Sequence, residues 1–394
     1  MKKNEKISLK SISLNLIFLI TLLNISCKQE NIEGETIGIE NNSSLNKSAR
    51  VAGTSGTRIG YLWFNPQYIS DVVGEIETIN GYSSSPIKEY YKNLTHVNLS
   101  FVNPIDEKGT SIAISEDGNA IIYTKGKTKL NLDQVKVKSL VLALKTAKSG
   151  LRVGLAVGGG AASGLLNNRY KSIFSNSTYR LNFVNSLVNY AKNTGCDYLD
   201  IDIEYIGLAL TGYNEFVQKC YSIGKQNGIN LTLTLEYKYA DNGIVTKVNN
   251  VTQTTYNSCD LLNIMSYDYD DNSSSAKIKD PNHSPVAIAK RDIDYFSTKV
   301  PSNKIILGIP LYGKKAYSKD PNDGYSSVNL LDIDAVTGLH KKSNLYYNSK
   351  EMINQKLKYA SDKGISGIML WSVRSDKISD YNNSVLKYIV DNQR

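Results

Sequence analysis

Eight short apolar runs rich in β-formers recur along the chain, with longer helix-period segments between them. They are Ile59–Phe64, His96–Val102, Val153–Val157, Tyr198–Glu204, Asn230–Tyr237, Leu261–Tyr267, Ile305–Tyr312 and Gly367–Trp371. Strands that alternate with helices predict a parallel sheet, and eight is the number that closes a barrel. The intervening segments carry helix signals. In Tyr179–Asn193 the residues Leu181, Val184, Leu187, Val188 and Ala191 share one side, and Gly195 closes the segment. Val135–Lys148, Gly212–Asn227, Val286–Val300, Ser349–Lys363 and Ile378–Asn392 read the same way. The expected fold class is therefore α/β, a (β/α)8 TIM barrel over residues 58–394, with at most a small insertion between strands seven and eight. An open doubly wound sheet is the alternative, but it wants a glycine turn for phosphate after its first strand. Here Asn65-Pro66-Gln67 follows. Within 103–130, Ile112-Ala113-Ile114 and Ile121-Ile122-Tyr123 flank Asp117-Gly118-Asn119, which predicts a β-hairpin outside the barrel.

The chain has 394 residues, enough for one large barrel or two ordinary domains. Its 41% hydrophobic and 21% charged content suits a globular core. Net charge is +9, of which the leader supplies +3, and the rest is spread without a long basic stripe, so a nucleic-acid partner is not expected. Lys2, Lys3, Lys6 and Lys10 precede an apolar run from Leu14 to Leu23, too short to span a bilayer and suited to an export signal. The run ends in Asn24-Ile25-Ser26-Cys27, which resembles a bacterial lipoprotein cleavage site with Cys27 as the lipidated residue, although Leu23 stands one place early. The expectation is a signal peptide over 1–27, a flexible polar tether over 28–57, and an envelope lipoprotein held at the outer membrane or cell surface through a lipid anchor. An ordinary cleaved signal, giving a secreted protein, is the alternative. Beyond Cys27, the odd set Cys196, Cys220 and Cys259 has no C-x-x-C spacing, which argues for buried thiols over disulfides or zinc. His96, His283 and His340 are far apart in sequence, so neither a metal nor another cofactor is expected. Tyrosine is abundant, at 27 against 2 tryptophans and 7 phenylalanines. Its apolar face and polar tip suit sugar surfaces, though a genomic bias would give the same excess.

The segment Cys196-Asp197-Tyr198-Leu199-Asp200-Ile201-Asp202-Ile203-Glu204-Tyr205 is the most informative. Side chains alternate across a strand, so Asp200, Asp202 and Glu204 share one face and Leu199, Ile201 and Ile203 the other. Successive acids on a face stand roughly 6.5–7 Å apart. Buried carboxylates cost free energy, and like charges raise one another's pKa. An acidic column ending at the carboxyl end of a barrel strand suits acid catalysis, with the outermost acid kept protonated by the charge beneath it. A solvated edge strand and a divalent-metal site are the competing readings. The aliphatic alternate residues oppose the first, and the want of supporting ligands on other strands opposes the second.

Asp197-x-x-Asp200-x-Asp202-x-Glu204, followed by Tyr205, is similar to the D-x-x-D-x-D-x-E signature of glycoside hydrolase family 18, the chitinases and endo-β-N-acetylglucosaminidases. Tyr198 stands where the family has Gly. Met265-Ser266-Tyr267-Asp268 resembles the family's M-x-Y-D, the segment from Lys304 to Gly313 its strand seven, and the segment from Gly364 to Ser372 its last strand with a sugar-platform Trp. More weakly, the segment from Leu94 to Phe101 resembles strand two. The resemblance runs in order over about residues 58–390. One motif departs: the family's S-x-G-G appears as Ala156-Val157-Gly158-Gly159, without the hydroxyl.

The resemblance implies hydrolysis of β-1,4-linked N-acetylglucosamine polymers, chitin or chitooligosaccharides, by a substrate-assisted retaining mechanism needing no second carboxylate nucleophile. Glu204 would protonate the glycosidic oxygen and later activate water. Asp202 would orient the acetamido group and stabilise the oxazolinium-like intermediate, Tyr267 would bond the acetamido oxygen, and Asp200 would set the charge of Asp202. Trp371 would stack beneath the sugar and Asp268 would bind a hydroxyl. Met265, Phe101, Tyr205, Tyr61 and Tyr312 are candidates for the cleft wall, with core packing an equal alternative for the aromatics. Asp197, Gly158 and Gly159 are structural members of the motifs. The short stretch 314–348 suggests an open groove and endo-type attack. An endo-β-N-acetylglucosaminidase acting on N-glycan chitobiose cores and an inactive sugar-binding lectin remain the alternatives; such lectins typically lose the terminal Glu.

Overall fold

The computed structural model describes residues 56–63, 86–114, 122–125, 128–131, 134–160, 164–204, 212–236, 239–240, 243–244, 250–269, 278, 280–318, 333–341 and 343–393. The leader, Cys27, most of the tether (its last two residues, 56 and 57, are described) and Tyr205 lie outside them.

Eight parallel strands close into a barrel: β1 (Thr57–Trp63), β2 (His96–Pro104), β3 (Arg152–Gly159), β4 (Tyr198–Ile203), β5 (Asn230–Glu236), β6 (Leu261–Met265), β7 (Ile305–Pro310) and β8 (Gly367–Trp371). Each pairs with its neighbours in chain order, and β1 closes on β8 through Gly60↔Leu370 and on β2 through Trp63↔Ser100. Helices return the chain between strands: α1 (Pro86–Lys92), α2 (Gln134–Ala147), α3 (Gly164–Ser175), α4 (Ser177–Thr194), α5 (Tyr213–Gln226), α6 (Gln253–Asn257), α7 (Val286–Phe296), α8 (Lys350–Asp362) and, after the last strand, α9 (Val385–Asn392). The cap of α4 shows how locally the sequence sets these limits. Asn176 accepts the amides of Thr178 and Tyr179, and Gly195 ends the helix at φ 78°, a conformation that costs glycine nothing.

Strand alternation divides the core in two. Outward residues such as Leu62, Leu99, Leu155, Leu199, Ile201 and Leu233 are buried under the helices. Inward residues Ile59, Tyr61, Phe101, Ala156, Met265, Ile306 and Met369 make a smaller apolar cluster inside the barrel. The three thiols Cys196, Cys220 and Cys259 are free and buried, and burial pushes the Cys196 and Cys259 thiols up to about 12.

Two expectations are corrected. Ile112–Ile114 pairs antiparallel with the end of β2, through Asn103↔Ala113, and not with the later apolar run. Ile122–Lys125 instead pairs with Thr128–Asn131, so two hairpins stand where one is expected. The physical reason is proximity: β2 runs on to Pro104 and offers an edge to the returning chain. The helix expected from Ile378 begins at Val385. Asp376 accepts the amides of Val385 and Leu386, and Ser384 caps Lys387, so the start is fixed there. Between β7 and β8 the described residues include a three-stranded antiparallel sheet of Lys314–Lys315, Leu345–Tyr346 and Leu339–His340.

Candidate active site

β4 puts Asp200 and Asp202 inside the barrel, and Glu204 follows directly at its carboxyl end. Asp200 is fully buried yet richly bonded. Its Oδ2 accepts Tyr61 at 2.6 Å and Asn98 at 3.0 Å. Its Oδ1 accepts Thr232 at 2.6 Å, Thr234 at 2.7 Å and Asn263 at 3.1 Å. Burial raises its pKa, and the bonds from Thr232, Tyr61, Thr234 and Asn263 hold the rise back. Asp202, one step outward and 2% exposed, is served differently. Among the described residues no group bonds its Oδ1. Burial first, then the charges of Glu204, Asp200 and Glu236, push its carboxyl well above the usual range.

The glycines beside this column leave room for it. A Cβ on Gly158, whose φ is +112°, would lie 2.4 Å from the Asp202 carbonyl oxygen. One on Gly159 would strike the Phe101 ring at 2.7 Å, and one on Gly160 would lie 3.0 Å from a Glu204 carboxylate oxygen. Ala156 sits opposite Asp200 in register, and its methyl joins the apolar cluster. Asp200 has its five donors without a hydroxyl there. Asp197, off the inward face, bonds the Val153 amide at 2.8 Å and the Lys145 ammonium at 2.8 Å, which ties β4 to β3 and α2.

Past β6, Tyr267 stands half-buried at the rim of the interior cluster, edge-on to Tyr312 with ring centres 6.3 Å apart. Its hydroxyl lies 3.9 Å from Met369 Sδ. Gly308 makes space for its ring, which a Cβ would meet at 2.8 Å. Asp268 takes φ +62°. Its Oδ1 accepts Tyr312 at 2.7 Å, lies 3.2 Å from His283 Nδ1 and pairs with the Lys314 ammonium at 3.3 Å. Burial would raise its carboxyl, but His283, Lys314 and Tyr312 outweigh burial and bring it to about 2. Burial lowers the His283 pKa, and its contact with Asp268 works against that fall.

Trp371 ends β8, half-exposed, with Phe101 5.5 Å away at 31° and Tyr61 5.7 Å away at 71°. Met265 and Phe101 are buried beside it. Tyr61 lies deeper than a cleft wall: it is 1% exposed and spends its hydroxyl on Asp200. Among the described residues no set of three His, Cys, Asp or Glu could hold a metal ion.

Sequence reasoning missed Glu236, whose charge adds to the lift on Asp202. The signal was present, because Thr232, Thr234 and Glu236 alternate with Leu231, Leu233 and Leu235 as the acids of β4 do with its aliphatics. Asn98 shares that period, with His96 and Ser100 against Val97 and Leu99, whereas Asn263, a single polar residue in an apolar run, gives none. Trp63, which ends β1 and packs on the interior cluster, was also missed.

The sequence model of glycosyl hydrolases family 18 matches residues 71–376. Chitinase 1 of Aphanocladium album is 24% identical over 294 residues, which are 61% of this chain and 65% of that protein. This chain thus spans just under two thirds of that relative's length. A GH18 chitinase from the chitin utilization locus of Flavobacterium johnsoniae superposes with a TM-score of 0.61 at 23% identity, over 86% of this chain and 94% of that one. A GH18 chitinase of Cycas revoluta in complex with (GlcNAc)3 superposes with a TM-score of 0.62 at 18% identity, over 85% and 99%. At these identities the likeness to the solved structures shows the fold.

Proposed function

The chain belongs to glycosyl hydrolases family 18, and from that premise we propose that it hydrolyses β-1,4-linked N-acetylglucosamine chains, chitin or chitooligosaccharides, with retention at the anomeric carbon. The substrate's acetamido oxygen attacks that carbon while Glu204 passes its proton to the glycosidic oxygen, so the leaving sugar departs as an alcohol. Glu204, now a carboxylate, takes a proton from water, and the water oxygen opens the cyclic intermediate. Tyr267 holds the acetamido oxygen near the reacting carbon. Asp202 orients the acetamido group and stabilises the positive charge that forms there. Trp371 is the platform beneath the sugar.

The observation that carries this reading is Asp202, a buried acid set between two other acids, its carboxyl pushed well above the usual range and one of its oxygens unbonded by any described residue. Such a group is costly for stability and suited to a transient cation. The test offers fluorogenic chitooligosaccharides and a high-mannose glycoprotein to the full-length protein. Release of the fluorophore with an untouched glycoprotein is expected. Cleavage of the glycoprotein alone would transfer the reading to N-glycan chitobiose cores, and binding without cleavage of either would leave a lectin.

The basic leader, the apolar run and Cys27 support a second proposal, that the protein is exported and held at a membrane by a lipid on Cys27. Labelled palmitate fed to expressing cells should enter the wild type and not Cys27→Ser. Equal labelling of both would remove the anchor.

A further inference from the structure

Lys356 lies on α8, 1% exposed, among the apolar residues Ile353, Leu357 and Ala360 that pack the helix. Burying an ammonium there is unfavourable in a way that burying a methionine of similar shape would not be. Its three protons meet three acceptors: Ser284 O at 2.7 Å, Ser284 Oγ at 2.8 Å and Asn348 Oδ1 at 2.5 Å. Two of the three belong to one residue. The Ser284 hydroxyl then donates to the Ser266 carbonyl at 2.7 Å. Ser266 is held from its other end too, for its hydroxyl donates to Asp292 Oδ2 on α7 at 2.6 Å. The stitching continues past it: the Tyr269 amide donates to the His283 carbonyl at 2.8 Å, and His283 Nδ1 reaches Asp268. Two irregular stretches, Ser266–Tyr269 and Asn282–Ser284, are thus sewn together beyond the end of β6. The first carries Tyr267, and its next residue, Asp268, sits in the left-handed region that favours glycine and must be held there by its surroundings.

We propose that Lys356 is a positioning residue for the reaction, one that acts through Ser284 to fix the main chain from which Tyr267 and Asp268 project. This rests on the reading of Tyr267 as the group that holds the acetamido oxygen. The charges acting on Lys356 are Asp292 from α7 and Asp280 ahead of it, and Arg291 acts in turn on Asp292. Burial lowers the Lys356 pKa to about 7, and the two aspartates act against that fall. Below that value the ammonium fills all three acceptors. Above it the amine has two protons, and one acceptor goes unpaired.

The experiment compares the full-length wild type with Lys356→Met and with Ser284→Ala, which cuts the bridge but keeps the charge. Expected for Lys356→Met is a fall in kcat of about tenfold or more on a fluorogenic chitooligosaccharide, with KM held within about threefold. The decline of wild-type kcat as pH rises through 7 should flatten in that variant. Amide hydrogen exchange should quicken at 266–269 and 282–284 in both variants and stay unchanged in β4. A packing role alone would lower the melting temperature and leave the pH profile unmoved. Wild-type kcat in a folded Lys356→Met, or lost activity with unchanged exchange at 266–269, would overturn the proposal. Should Lys356→Met not fold, Ser284→Ala decides by the same two readouts. A wild type that cleaves no chitooligosaccharide would fail the functional reading alone, and exchange would still decide whether Lys356 holds the segment.

Discussion

Glu204→Gln is expected to lower kcat on chitooligosaccharides by about 10²–10⁴-fold, the share a positioned proton donor supplies, with KM and melting temperature preserved. Glutamine has the shape of glutamate, so it keeps the place beside Gly160 that only a missing Cβ leaves open. It has no acidic proton to give and no carboxylate to take one back, so both halves of the reaction fail together. Stability should not suffer at neutral pH. An ionised Glu204 helps to push the Asp202 carboxyl upward, and glutamine removes that push without adding a buried charge. Stopped turnover with intact binding of a chitooligosaccharide, read by fluorescence titration of the two tryptophans, separates this from unfolding. A variant as active as the wild type would remove Glu204 from the chemistry and the mechanism with it.

Much of this site was legible before any coordinates because its key residues obey a period. Asp200, Asp202 and Glu204 alternate with Leu199, Ile201 and Ile203, and in a closed parallel sheet one face must look inward. The barrel itself followed from eight apolar runs, whose centres stand where the strands stand. What stayed hidden depends on contacts across the sequence. For Tyr61 the sequence leaves cleft wall and core packing equally open; its hydroxyl serves Asp200, 139 residues away. Asp268 was assigned to a sugar hydroxyl, and three other side chains already surround its Oδ1. The reach of Lys356 to Ser284 spans 72 residues, and its helical pattern marks it only as one more position on a buried face. Asp376 stopped the last helix from starting at Ile378 by capturing amides nine and ten residues on, a long-range cap with no local signature.

Asp202→Asn should separate function from stability in opposite directions. Activity is expected to fall by about 10²–10³-fold, the range for removing a group that stabilises developing charge, since a neutral amide cannot become an anion beside the intermediate. Stability is expected to rise, and the pH dependence carries the argument. The unfolded chain releases the proton of an ordinary aspartate near pH 3.9. In the folded protein burial and the neighbouring acids hold that proton to well above the usual range. Between the two values the native state binds more protons than the unfolded one, so stability falls as pH rises through this window. Asparagine carries no such proton. The melting temperature of Asp202→Asn minus that of the wild type should therefore be small near pH 4 and grow toward pH 8. Thermal unfolding at four or five pH values measures it. A difference that stays flat would mean that Asp202 is ionised in the folded protein. A difference that grows while activity survives would leave the buried acid without a catalytic reason to be there.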